Sequence, residues 1–115
     1  MVVHRISSVD EYHKLIKSHE NVVLLFASDW SGTRDTVTPV FEKLSDEIKD
    51  VHFVSVNGKD SSALCAELYV LAMPAYVAVK NGEKVDQLMG VFPYEMRHSM
   101  TNFGYKMIED KLVKR

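Results

Sequence analysis

The sequence predicts an α/β protein organised on a central sheet, and three observations carry that prediction. Val22-Val23-Leu24-Leu25-Phe26 is apolar without polar alternation, the pattern of a strand buried on both faces. Strand-like runs alternate with stretches of helical periodicity along the chain, which implies β-α-β units. Asn81-Gly82 stands between two β-rich runs, the strongest short-range hairpin signal. The predicted order is β-α-β-α-β-α-β-β-α. It has three β-α units with right-handed parallel crossovers and an antiparallel pair at one side.

Each element has a local reason. Val2 to Ile6 reads as a short first strand. Ser8-Val9-Asp10-Glu11 matches the capping-box pattern, and Val9, Tyr12, Leu15 and Ile16 recur at helical spacing, so a helix is expected over 9–18. Residues 21–28 form the central strand. Val37, Val40, Phe41, Leu44 and Ile48 make one apolar stripe of a helix reaching about Asp50, with Pro39 expected to kink it. Val51 to Val56 is β-rich. Asp60 or Ser61 can cap a short helix from Ser62 to Tyr69 that turns Leu64, Cys65 and Leu68 inward. Met73-Pro74 precedes a strand from Ala75 to Val79, and Lys84 to Met89 returns antiparallel. From Pro93, residues Met96, Met100, Phe103 and Met107 fall on one helical face, extending to Lys111 or Leu112, with Gly104 weakening the helix by about 1 kcal/mol.

Composition narrows the function classes. The chain has 115 residues, 46% of them hydrophobic and 26% charged, with a formal net charge of −2. One domain spanning 1–115 is expected. The charge argues against a nucleic-acid binder. No apolar run approaches the roughly 20 residues of a membrane helix, and the N-terminus lacks a signal-peptide core. A cytoplasmic or nuclear location is expected, with no membrane or nucleic-acid partner. The one cysteine, Cys65, excludes an internal disulfide. It reads either as a small buried hydrophobe or as a regulatory thiol. His4, His13, His19, His52 and His98 show no ligand spacing, so no metal and no cofactor are expected.

The turn Trp30-Ser31-Gly32-Thr33-Arg34 joins the central strand to the next helix, where α/β proteins commonly place their chemistry. Ser31 or Thr33 caps that helix, or the helix N-terminus with Arg34 holds a small anion. Arg34 can instead pair with Asp35 or Glu83. Trp30 is either core packing or an interface anchor. Met73-Pro74 has the character of a positioned turn. Val91 and Phe92 either extend an apolar patch with Trp30, Met73 and Pro74 or turn inward.

Together these features resemble the thioredoxin family over almost the whole length. The likeness rests on Trp30 before the turn, Pro39 in the following helix, Val40-Phe41-Glu42-Lys43-Leu44 after it, Met73-Pro74, Lys80-Asn81-Gly82-Glu83-Lys84-Val85-Asp86 and Gly90. It implies a thioredoxin-like three-layer α/β/α sandwich with a central mixed sheet. It also implies a cis-proline at Pro74, beside which the family binds extended peptides. The family's Cys-Gly-Pro-Cys falls on Ser31-Gly32-Thr33-Arg34. Its buried Asp falls on Leu25, and the Lys that faces it falls near Phe53. A serine hydroxyl cannot form a mixed disulfide, and loss of all four residues together reads as inheritance.

The expectation from these losses is a redox-inactive, thioredoxin-like protein-binding module. Its groove would comprise Trp30, Gly32, Thr33, Met73, Pro74, Val91 and Phe92, with Ser31 and Arg34 replacing the motif cysteines and no catalytic residue. The chain is similar in this respect to the thioredoxin-like domains of multidomain monothiol glutaredoxins. Its partner would be a protein or extended peptide, and the chain itself a monomer or weak dimer. The alternative is a thiol-disulfide oxidoreductase, a thioredoxin whose motif cysteine is absent or replaced. A dimerisation role through the same patch is the third reading.

Overall fold

The computed structural model describes residues 3–27, 33–57, 61–90, 93–109 and 111–115, and the side chains of residues 3, 33–36 and 57 are outside the description. The elements run β1 (Val3–Ile6), α1 (Val9–Ser18), β2 (Asn21–Ala27), α2 (Thr33–Glu47), β3 (His52–Asn57), α3 (Ser62–Glu67), β4 (Ala75–Lys80) and β5 (Glu83–Met89). They continue with α4 (Pro93–Ser99), a 3-10 turn (Met100–Phe103), β6 (Tyr105–Ile108) and β7 (Lys111–Lys114). The fold is α/β with a central mixed sheet, as the resemblance implied.

Five strands pair in the order β1-β3-β2-β4-β5. Strand β3 is parallel to β1 and β2, whereas β4 is antiparallel to both β2 and β5. The expectation of three parallel crossovers is therefore corrected: the chain leaving α3 enters β4 running the opposite way. The link from β3 through α3 thus joins antiparallel strands, to which the right-handed crossover rule does not apply.

The apolar run of β2 is explained by two cores, one on each face of the sheet. Val23, Leu25 and Ala27 join Phe41 and Leu44 of α2, Met96 of α4 and Tyr105 of β6. Val22, Leu24 and Phe26 face the opposite way, with Tyr12 of α1 and Leu64 of α3. Alternate side chains of a strand leave opposite faces, so a strand covered by helices on both sides carries no polar position. Phe41 meets Phe53 edge-on, with ring centroids 5.2 Å apart, a favoured aromatic geometry. Helix α2 runs through Pro39 from Thr33 to Glu47.

Local signals account for the ends of several elements. The Ser8 hydroxyl accepts the Glu11 N–H at 3.2 Å, and the Glu11 carboxylate accepts the Ser7 N–H at 3.1 Å. The Ser7 N–H, with the Ser8 hydroxyl donating to the same carboxylate at 3.1 Å, holds the Glu11 carboxyl below its ordinary range. Asn81 and Gly82 both take positive φ, 54° and 81°, which is the backbone of a two-residue type I′ hairpin turn.

The C-terminal region departs from expectation. The helix from Pro93 ends in the 3-10 turn, and Gly104 adopts φ +89°. In that left-handed cap its N–H faces the carbonyls of Met100 and Thr101. Glycine there terminates the helix instead of weakening it. Strands β6 and β7 then pair antiparallel as a separate two-stranded sheet, so Met107 lies on a strand. Asp50 ties this strand pair down, accepting from the Tyr105 hydroxyl and pairing with Lys114 Nζ at 3.0 Å. Burial alone would raise the Asp50 carboxyl, but the bonds from Tyr105 and Lys114 outweigh it and hold the group low. Burial, together with Asp50, pushes the Tyr105 phenol up to about 12.

Candidate functional site

Strand register brings three chain segments to one end of the sheet. Phe26, next to the end of β2, pairs with Ala75, the first residue of β4. Ala75 also pairs with Met89, the last residue of β5. The Met73–Pro74 step, which precedes Ala75, therefore lies beside the end of β2. The Pro74 carbonyl accepts the Gly90 N–H at 3.1 Å, linking this step to the end of β5. The Met73–Pro74 peptide is cis, as the resemblance implied. Helix α2 opens at Thr33.

The sequence-derived site residues are distributed unevenly over this arrangement. Trp30, Ser31, Gly32, Val91 and Phe92 lie outside the described residues, as do the side chains of Thr33 and Arg34. Thr33 and Arg34 are the first two residues of α2. Met73 and Pro74 are half-buried, and Met73 packs against the core between the sheet and helices α1 and α3. Around this end Leu71 and Tyr94 are exposed, at 88% and 58%.

Behind the site, Leu25 is buried in the core beneath α2. Its neighbours in register are Ser55 on β3 and Tyr76 on β4. The position that the resemblance placed near Phe53 is therefore Ser55, since Phe53 pairs with Val23. Ser55 and Phe53 share one face of β3, two residues apart. Only the ladder register distinguishes them. No cation faces Leu25 from either neighbouring strand at its own register.

Cys65 lies elsewhere. It belongs to α3 and packs, half-buried, against the core on the sheet face opposite α2. Burial pushes its thiol up, partly offset by a hydrogen bond with Ser61. A raised pKa leaves less thiolate at neutral pH and so a slower nucleophile.

Sequence spacing missed one constellation. His4, His19 and His52 form a stack of rings, with centroid separations of 4.4 Å and 3.9 Å about His52. They come from β1, the end of α1 and β3, so no local spacing announces them. Among the described residues no group of three His, Cys, Asp or Glu is placed to hold a metal ion.

Comparison with known proteins adds the family. The family model described as Thioredoxin matches residues 3–102. Thioredoxin-2 of Pyricularia oryzae is 30% identical over 97 residues, covering 84% of this chain and 57% of that protein. Thioredoxin-1 of Schizosaccharomyces pombe is 30% identical over 99 residues, covering 86% of this chain and 96% of its own length. The crystal structure of Malassezia sympodialis thioredoxin superposes with a TM-score of 0.79 at 33% identity, covering 89% of this chain and 94% of that one. These findings overturn the expectation of a redox-inactive binding module. The relatives that match over most of this chain carry the name thioredoxin, and the oxidoreductase alternative is the better supported.

Proposed function

Because this chain belongs to the thioredoxin family, matched from residue 3 to residue 102, we propose that it is a thiol–disulfide oxidoreductase by descent and scaffold, a thioredoxin whose motif cysteines are replaced in this sequence. The exchange centre is the turn between β2 and α2. The reading is carried by the near full-length match to a protein named thioredoxin, 96% of which is covered. It is supported by the Met73–Pro74 step held beside the end of β2.

The chemistry is explicit. With cysteines at positions 31 and 34, a thiolate at the start of α2 would attack one sulfur of a substrate disulfide, form a mixed disulfide and release the other sulfur as a thiolate. The second thiol would then attack the mixed disulfide and free the substrate as a dithiol. The protein would be left as a disulfide, for an external dithiol to reduce. The backbone N–H groups that open α2 favour the thiolate, and the Met73–Pro74 step lies where the substrate chain would run. In this sequence the motif pair is replaced by Ser31 and Arg34, and the only sulfhydryl is Cys65. The scaffold is therefore that of an exchange centre with its sulfurs substituted.

Returning the sulfurs tests the reading. The Ser31→Cys/Arg34→Cys variant, given dithiothreitol and insulin, should reduce the insulin disulfides well above the uncatalysed rate. Ser31→Cys alone should trap a mixed disulfide with the substrate. A folded double variant no faster than the reductant alone would refute the assignment.

A further inference from the structure

His52 is the middle ring of the imidazole stack. It lies parallel to His19, with an interplanar angle of 19°, and tilted to His4 by 45°. Its Nε2 is buried without a hydrogen-bond partner. A neutral ring tolerates that position as an unused acceptor, but a protonated ring carries an N–H⁺ there with nothing to receive it.

The surrounding charges do not relieve this. The groove beside the ring is lined by Glu20 at the end of α1, Asn21 of β2, and Lys49 and Asp50 before β3. Asp50 is already engaged by Tyr105 and Lys114. Glu20 and Lys49, of opposite charge, are both exposed to solvent. The weakest element touching the stack is β1. It has four residues, lies at the sheet edge, pairs with β3 alone and carries His4.

We propose that the His4–His52–His19 stack is an acid-sensitive latch, whose protonation releases β1 from β3 while the central strands stay paired. The regulated event is exposure of the β3 edge and of the adjoining end of α1. It does not depend on the exchange chemistry at the other site.

The direction follows from linkage. Burial first, then the charges of His19 and His4, lower His52 from 6.5 to about 4. A released ring binds a proton near 6.5 and a latched one only near 4, so the latch holds above 6.5 and weakens as pH falls toward 4. Between pH 7 and pH 5 the balance shifts toward release by at most about 20-fold. This is an upper bound because the ring is only half-buried.

Amide hydrogen exchange on the full chain, corrected for intrinsic rates, reads the latch directly. The protection of His4, Arg5 and Ile6 relative to Val77, Ala78 and Val79 should fall about fivefold to 20-fold from pH 7 to pH 5. In His52→Phe, which keeps a stacking ring that cannot titrate, the fall should be under about twofold. A pH-independent ratio in the unaltered chain, or an equal fall in the variant, overturns the proposal. If the variant does not fold, an NMR titration of the unaltered chain decides. His52 titrating at least one pH unit below the other four imidazoles supports the latch, and His52 titrating with them rules it out.

Discussion

Leu25→Asp places a carboxylate where the family keeps one, in a structure that gives it no partner. Leu25 is 1% exposed within the apolar core under α2. The residues beside it in register are Ser55 and Tyr76. Two costs add. Loss of the leucine packing is worth about 2–4 kcal/mol. The second cost depends on pH, because burial raises a carboxyl by roughly 3–4 units from its ordinary value near 3.9. The unfolded chain then ionises at lower pH than the folded one. Stability is thus unaffected by this term below about pH 4 and falls as pH rises toward 7, by about 4 kcal/mol in all.

Leu25→Asn is the control, since it carries the same packing loss and a polar group but no titration. Urea denaturation followed by far-UV circular dichroism, from pH 4 to pH 7.5, measures both. The histidine stack affects both variants alike and cancels in their difference. Leu25→Asp should match Leu25→Asn near pH 4 and fall about 3–4 kcal/mol below it at pH 7. A difference that stays flat across the range would mean that water reaches position 25, and the buried placement of Leu25 beneath α2 would be wrong.

Two further outcomes follow from other parts of the molecule. Tyr105→Phe removes the hydroxyl that Asp50 accepts and should cost about 1 kcal/mol, because Asp50 remains partly solvated. The Asp50 carboxyl is held low in the folded chain, so the penalty should be complete at neutral pH and disappear as pH falls through that group's titration. Thermal melts at pH 7 and pH 3 read the difference. Cys65 should react slowly with a disulfide reagent such as dithionitrobenzoate at pH 7. Its rate should keep rising beyond the pH at which an exposed thiol levels off, since burial raises its pKa. Reaction in the folded chain as fast as in urea would contradict the half-buried placement.

Much of this molecule is legible in one dimension because the relevant forces act over a few residues. The capping contact between Ser8 and Glu11, the positive-φ turn at Asn81-Gly82 and the two-sided burial of β2 each depend on chain neighbours or on strand alternation. The order of motifs from Trp30 to Gly90 also sufficed to indicate the family, because the spacing between turns records the lengths of the packed elements. Function is not legible in the same way. The missing motif sulfurs point to a binding module, whereas the relatives that match over most of the chain are named thioredoxins.

What the tertiary structure alone decided concerns residues far apart in the chain. The reversed direction of β4, the seating of Ser55 opposite Leu25, the stacking of His4, His19 and His52 and the strand pair held by Asp50 all depend on register and docking. A period of two or of 3.6 residues states which side of an element faces inward, but not which residue of another element it meets. That is settled when whole strands and helices find the alignment that buries both cores at once. For this reason the imidazoles left no trace in their spacing, and the same methionine pattern that reads as one long helix divides at Gly104 into a helix and a strand pair.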